Sequence, residues 1–395
     1  MPVTAPILAD GGVLVGGGRI LEVGPFSLLK REAGRIVELD GALLPRLINC
    51  HSHLELAAYG EAMRAFMLER PAAGFPDWIS KLLQLRSDAG IEPANRRLAS
   101  EGLLEQMAGE GVALVLDTGN LVESGDLGAK ASAGHRFLLE ILGLSAKAAE
   151  KKIKELEQLE ASLSVTAHAP YSTHPSLLKK IKARCGKYGQ LFSIHTAESP
   201  EESDFLQNGS GGFVDFLRER GVLDDDFRAP GCSTVEYFEQ LGLLDQKTLC
   251  VHCVQVSDGD IEKLAEHGAA VCLCPGSNRT LGVGTAPVPR MAAAGVRLCL
   301  GTDSRASNPR CSMWREMRFL GEEHPSLAPG LILAMATIGG AAVLGIEDLL
   351  GSLEAGKYSE MIVVKGNFAD QRQLSEALVS VGEGIEVEIA GIDYA

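Results

Sequence analysis

From residue 47 onward, short apolar runs alternate with longer segments whose apolar residues recur at three- and four-residue steps. The runs LINCHSH, GVALVLDTG, HRFLLEILG, SLSVTAHAPY, LFSIHTAES, TLCVHCVQV, AAVCLCPGSN and VRLCLGTDS read as eight strands. Segments such as NRRLASEGLLEQMAGEG, AKAAEKKIKELEQLEASL, HPSLLKKIKARCGKYG and SDGDIEKLAEHG read as the helices between them. Helical segments close on glycine before the next strand at Gly111, Gly189, Gly268 and Gly295, the place of a left-handed C-terminal cap. Strands alternating with helices predict an α/β protein with a parallel sheet. Eight such units predict a closed (β/α)8 TIM barrel, with a doubly wound open sheet as the alternative.

The two ends carry another pattern. Residues 1–46 hold short glycine-punctuated β patterns, GGVLVGGGRILEVG and RIVELDGALLP, and residues 350–395 repeat the style in GSLEAGKYSEMIVVKGN and VEIAGIDYA. Neither end is long enough to be stable alone. They are expected to pair into one small composite β-sandwich domain beside a catalytic barrel spanning 47–349. The segment LAPGLILAMATIGGAAVLGI is nearly uncharged over about the length of a membrane span, but Pro329, Gly330, Gly339 and Gly340 interrupt it. It reads as buried helix. The glycine-rich stretches GVGTAP and NGSGG lack the strand and helix that a phosphate loop needs and read as turns.

Composition narrows the partners. A formal net charge of -15 over 395 residues repels nucleic acid and anionic membrane surfaces, so a small-molecule substrate is expected, and an anionic one would need local arginines. The opening MPVTAPILADGG lacks a basic leader followed by an apolar block, which makes cytoplasm the default location. Nine cysteines without such a leader read as reduced thiols. In TLCVHCVQV, Cys250 shares parity with His252 while Cys253 faces the other way, so the thiols diverge and read as small buried apolar groups. A homo-oligomer is the default expectation for a soluble enzyme.

Polar residues at the strand tips interrupt this apolar scheme. In LINCHSHLEL, His51 and His53 point to the same face, close enough either to share a metal ion or to form a hydrogen-bonded core pair. Further strands end in His168, His195, His252 and Asp303. In a barrel these tips converge on the face where active sites lie. Two or three imidazoles with one carboxylate suit zinc or ferrous iron and leave room for a water. Burying such groups together without a partner would cost several kcal/mol.

The stretches VLVGGGRILEVG, LINCHSHLE, SIHTAES, VHCVQVSDGDI, CPGSN, LGTDS and GSLEAGKYSEMIVV together resemble the amidohydrolase superfamily, in its branch of metal-dependent aminohydrolases that deaminate purines and related heterocycles. The resemblance covers nearly the whole chain. It implies His51, His53, His195 and Asp303 as metal ligands, Glu198 as the proton-shuttling glutamate, and His252 as the histidine beside the attacking water. Members with two metals carry a carboxylated lysine at the end of strand four; here that strand reads TAHAPYS, which implies one divalent ion, zinc or alternatively iron. The implied reaction is hydrolytic. Water activated by the ion attacks the carbon bearing an exocyclic amine, Asp303 takes a proton, Glu198 delivers one to the adjacent ring nitrogen, and ammonia leaves. His252 would steady the water and the developing oxyanion. Two departures, Pro45-Arg46 for the usual Pro-Gly and Tyr358-Ser359-Glu360 after Gly-Lys, bear on local turns rather than on the reacting centre.

Within the branch, HSHLEL, GFPDWISKLLQLR, HAPYSTHP and HTAESPEESDFL are most similar to deaminases of 6-amino-6-deoxyfutalosine, an adenine nucleoside with a benzoate tail from the alternative menaquinone pathway. The branch also holds methylthioadenosine and S-adenosylhomocysteine deaminases. A hydrolase removing chloride or an amine from another heterocycle, and a relative without metal, are the competing classes. A benzoate calls for a guanidinium, and Arg136, Arg279 and Arg305 stand near strand ends, though each also reads as a solvated surface charge. His168 is expected to contact a substrate hydroxyl. Trp78 would stack on the base or pack a loop helix, with Glu55 and Asn278 as further candidates.

Overall fold

Eight parallel strands, each leading into helical structure, form the centre of the protein, as the alternating patterns predict. The computed structural model describes residues 3–69, 72–88, 90–127, 132–366, 368, 371–380 and 386–390. In chain order its strands are β1 (Gly11–Gly16), β2 (Arg19–Pro25), β3 (Ala42–Pro45), β4 (Leu47–Ser52), β5 (Val112–Gly119), β6 (Gly134–Ile141), β7 (Val165–Ala167), β8 (Phe192–Thr196), β9 (Thr248–His252), β10 (Ala270–Leu273), β11 (Arg297–Leu300), β12 (Met361–Val364) and β13 (Val387–Ile389).

The barrel is two four-stranded parallel sheets, β4-β5-β6-β7 and β8-β9-β10-β11, joined at two seams. At the first seam the amide of Ser193 donates to Thr166 Oγ1 at 2.8 Å and that of His195 donates to the carbonyl of His168 at 2.9 Å. At the second, the amides of Thr302 and Asp303 both donate to the carbonyl of His51 at 3.0 Å, and Asn49 Nδ2 reaches Thr302 Oγ1 at 2.8 Å. Polar side chains and bent strand ends thus close the ring where regular ladder bonds stop.

Inside the ring, Ile48, Cys50, Leu116, Leu138, Leu249, Val251, Cys272 and Cys299 form one apolar cluster with Ala341, Val343 and Leu344 of the helix Ile338–Leu344, which plugs the end where the strands begin. The other strand faces pack against the surrounding helices in a second, larger cluster. Ser145, Ser199, Ser233 and Ser257 each accept a backbone N–H in the first turn of the helix that follows them. The four glycines expected as helix stops, Gly111, Gly189, Gly268 and Gly295, all lie at positive φ. The apolar segment near residue 336 is two short helices, Pro329–Met335 and Ile338–Leu344, and among the described residues no helix is long and apolar enough to cross a membrane. All nine cysteines are free thiols and eight are buried.

The ends of the chain meet in a small β-sandwich. The β1-β2 hairpin is antiparallel, and β3 pairs antiparallel with β12, which in turn pairs with β13. Ile20, Leu353 and Met361 form the core between the two sheets. Of the stretch RIVELDGALLP only Ala42–Pro45 is strand, and the final residues of VEIAGIDYA lie outside the described ones.

Candidate active site

One ligand atom from each of His51, His53, His195 and Asp303 lies within 4.8 Å of all the others, at the end of the barrel where the strands finish. Simple alternation does not place the two β4 histidines there. Ile48 and Cys50 face the interior, so an unbroken β4 would turn His51 outward. Instead Asn49 pairs with Val115 and Ser52 with Asp117, so three steps on β4 face two on β5, and this bulge rotates both histidines inward. A Cβ on Gly301 would sit 2.8 Å from Cys272 Sγ and from His51 Cβ, so the close approach of β11 to β4 requires glycine. Ala197, His252, Cys253 and Asp303 lie at φ +49°, +75°, +50° and +56°. Left-handed backbone in such residues costs on the order of 1–3 kcal/mol each and clusters at sites where the surroundings over-determine it.

The donor set fits a divalent cation. His195 Nδ1 donates to the carbonyl of His168 at 2.8 Å, which leaves a lone pair on Nε2, and that atom faces His53 Nε2 at 3.4 Å. Both ring nitrogens of His51 are buried without a hydrogen-bond partner. Asp303 Oδ2 accepts from Ser277 Oγ at 2.6 Å and Ser307 Oγ at 2.8 Å, while Oδ1 stands 3.7 Å from Nε2 of both His51 and His53. Three imidazoles and one carboxylate oxygen therefore converge on one point. Burial, then crowding by the other imidazoles, holds His51 well below the usual imidazole range, and burial likewise lowers His195. Neutral imidazole is the form a metal binds.

A second pair of titratable groups, Glu198 and His252, stands beside this cluster. Burial, reinforced by Asp303, Glu202 and Glu201, holds Glu198 well above the ordinary carboxylate range. Its Oε1 is 3.5 Å from His252 Nε2. His252, lowered to about 4 chiefly by burial, is neutral, and its Nδ1 bonds Asn278 Oδ1 at 2.8 Å. Asn278, expected against substrate, holds His252 through its Oδ1. Beneath Glu198 lies Glu202, wholly buried and pushed up to about 7 by burial. The signature Ser199-x-x-Glu202 announces a helix cap in the sequence but not this neighbourhood.

The remaining candidates divide. His168 sits at the rim, ring centroid 4.9 Å from that of His195, with Nδ1 against Ser172 Oγ at 2.7 Å. Trp78 is buried, stacked on Phe75 in an aromatic cluster with Tyr171 and Phe213. The three arginines do not converge on the centre. Arg136 lies near the start of β6 and donates to the carbonyl of Leu344 at 2.9 Å, at the plugged end. Arg279 pairs with Glu322 at 2.9 Å on the exposed flank, and Arg305 turns to Gln106 of an outer helix. For Arg136 the reason is that a side chain near a strand's beginning faces the opposite mouth, whereas Arg279 and Arg305 follow strand ends but turn to partners on outer helices. Arg86, from the same helix as Trp78, stands 3.3 Å from both Glu55 Oε1 and Asn120 Oδ1. Asn120 in turn bonds Glu140 Oε2 at 3.0 Å, and Asp117 accepts the amide of Leu54 at 2.8 Å just after His53. The only sequence signal for Asp117 and Glu140 was their place as acids at apolar strand ends.

Comparison with known proteins agrees with this architecture. The amidohydrolase family model matches residues 42–388. The 5-methylthioadenosine/S-adenosylhomocysteine deaminase of Desulforudis audaxviator is 29% identical over 391 residues, covering 90% of this chain and 81% of that protein. The aminodeoxyfutalosine deaminase of Deinococcus radiodurans is 28% identical over 356 residues, covering 85% and 82%. A crystal structure of an adenosine deaminase from Xanthomonas campestris with bound zinc shares the fold at a TM-score of 0.73 and 23% identity, covering 99% of this chain and 90% of that one. The chain belongs to the amidohydrolase family and is a hydrolase of carbon–nitrogen bonds.

Proposed function

We propose that the protein deaminates an adenine nucleoside, with 6-amino-6-deoxyfutalosine as the favoured substrate. The observation that carries the reading is the convergence of His51, His53, His195 and Asp303 beside a buried Glu198. The nucleoside class is supported by the names of the relatives in Desulforudis and Deinococcus, and the choice within it by the Deinococcus relative together with the stretches around His53, Trp78, His168 and Glu198. Methylthioadenosine or S-adenosylhomocysteine is the second reading, on the strength of the Desulforudis relative.

His51, His53, His195 and Asp303 would hold one divalent ion, and zinc is favoured by the three nitrogen donors and by the zinc in the Xanthomonas structure. Such an ion supplies Lewis acidity that brings the pKa of a water from about 15.7 to about 7. His252, tethered through Nδ1, offers its Nε2 lone pair to the attacking water and fixes its approach. Glu198, kept protonated by burial, delivers its proton to the ring nitrogen beside the amine-bearing carbon and recovers one from the added oxygen. Asp303, with Oδ2 pinned by two serines, takes the other water proton on Oδ1 and passes it to the departing amine. Ammonia and the 6-oxo nucleoside result.

The test is ammonia release from aminofutalosine, methylthioadenosine, S-adenosylhomocysteine, adenosine, cytosine and triazines, with metal content determined on the same sample. Aminofutalosine is expected to turn over fastest with about one zinc per chain. No release from any adenine nucleoside by metal-loaded protein overturns the proposal.

A further inference from the structure

We infer that Glu202 is a positioning residue whose carboxylate builds the turn that presents Glu198 to the reacting ring. The inference rests on the proposed deaminase reading. After β8 ends at Thr196, the chain passes through Ala197 at φ +49° before the helix Pro200–Asn208 begins. That reversal takes the amides of Ala197 and Glu198 out of the ladder within a dry interior, where an unmade hydrogen bond costs about 1–3 kcal/mol. Both amides find Glu202. Ala197 N–H donates to Oε1 at 2.7 Å and Glu198 N–H to Oε2 at 3.0 Å, while the Thr234 hydroxyl donates to Oε1 at 2.7 Å.

A second helix of the same chain shows what an ordinary cap does. At Ser257 the side chain of Asp260, three residues on, returns to the amide of the capping serine itself at 2.9 Å. At Ser199 the serine oxygen takes the amide of Glu202 at 3.2 Å as expected, but the glutamate passes the capping residue and grips the two amides before it. The capping signature at Ser199 is thereby diverted into support for the turn that carries Glu198. Glu202 is wholly buried, and its three partners are backbone and Thr234, so it acts through Glu198 rather than on substrate.

Glu202→Gln keeps an oxygen for Ala197 and Thr234 but sets an NH2 group against the amide of Glu198. Donor against donor displaces the turn, and a misplacement of about 1 Å at a reacting group costs about 10²-fold in rate. The experiment is a double-mutant cycle of E202Q and E198Q, reading kcat, KM and bound zinc, with T234V as a milder second probe. E202Q is expected to lower kcat about 10- to 100-fold with zinc retained and KM within about threefold. In the E198Q background it should lower kcat little further, because the group it positions is already disabled. T234V should cost about fivefold or less, and its cycle with E198Q decides the matter if E202Q does not fold. Equal losses in both backgrounds, wild-type kcat in E202Q, or a loss explained wholly by missing zinc would overturn the inference. An E198Q enzyme as active as wild type would instead strike at the proposed chemistry of the site.

Discussion

The two mouths of the barrel are built from the same eight strands and obey opposite rules. At the plugged end, Ile48, Leu116, Leu138 and Leu249 meet Val343 and Leu344 in an apolar cluster whose residues follow strand alternation. At the other end His51, His53, His195, His252, Glu198 and Asp303 are just as buried, yet both ring nitrogens of His51 and Nε2 of His252 lack hydrogen-bond partners and three strand ends carry left-handed backbone. The first end stabilises; the second is stabilised by what surrounds it. Each buried Leu or Val at the plug contributes roughly 1.5–3 kcal/mol, of the same order as each strained or unpaired group at the site costs. A barrel can hold an electrostatically frustrated mouth because its other mouth is conventional.

The sharpest way to test this contrast is to strip the ion. Chelation should remove at least about 10³-fold of deaminase activity, since the ion's share of the barrier is several kcal/mol, and zinc should restore it. Because the ion binds only the folded site, the melting temperature should fall with it. Calorimetry showing the same melting temperature with and without chelator would mean that the imidazole cluster is content without a cation. Next in size, Glu198→Gln should retain zinc while lowering kcat about 10²- to 10⁴-fold. Comparable rates in the variant and wild type would refute the role given to Glu198.

At the plugged end the effects should fall on stability alone. Leu249→Ala is expected to cost about 2–5 kcal/mol in denaturant unfolding while turnover per bound zinc stays within about twofold. A tenfold drop in that turnover would show that the floor and the site are mechanically coupled. The smallest effect belongs to Arg136→Gln, which removes a bond to the Leu344 carbonyl: about 0.5–1.5 kcal/mol of stability, with kcat/KM for an anionic-tailed nucleoside unchanged. A selective loss on that substrate would return Arg136 to the ligand pocket.

Legibility in the sequence followed the range of the interaction. The eight strands, the intervening helices and their glycine stops were readable because hydrophobic period and cap chemistry act over a few residues. The metal-type residues were readable for a related reason: His51, His53, His195 and Asp303 interrupt apolar runs that a core would otherwise fill. Arg136, Arg279 and Arg305 could not be sorted, since a guanidinium finds its partner across the fold, 208 residues away for Arg136 and 199 for Arg305. Nothing local in the sequence says that Asn278, 26 positions after His252, will bond its Nδ1.

Taken alone, the amino-acid order decided which barrel segments are strand and which helix, and which polar side chains interrupt the apolar runs. It could not decide which way those side chains face. His51 turns inward because a bulge in β4 adds one step against β5, and Glu198 is aimed because Glu202 holds two amides that no ladder could satisfy. Both facts are settled by neighbouring strands and helices, whose hydrogen-bond demands exist only once the barrel has closed.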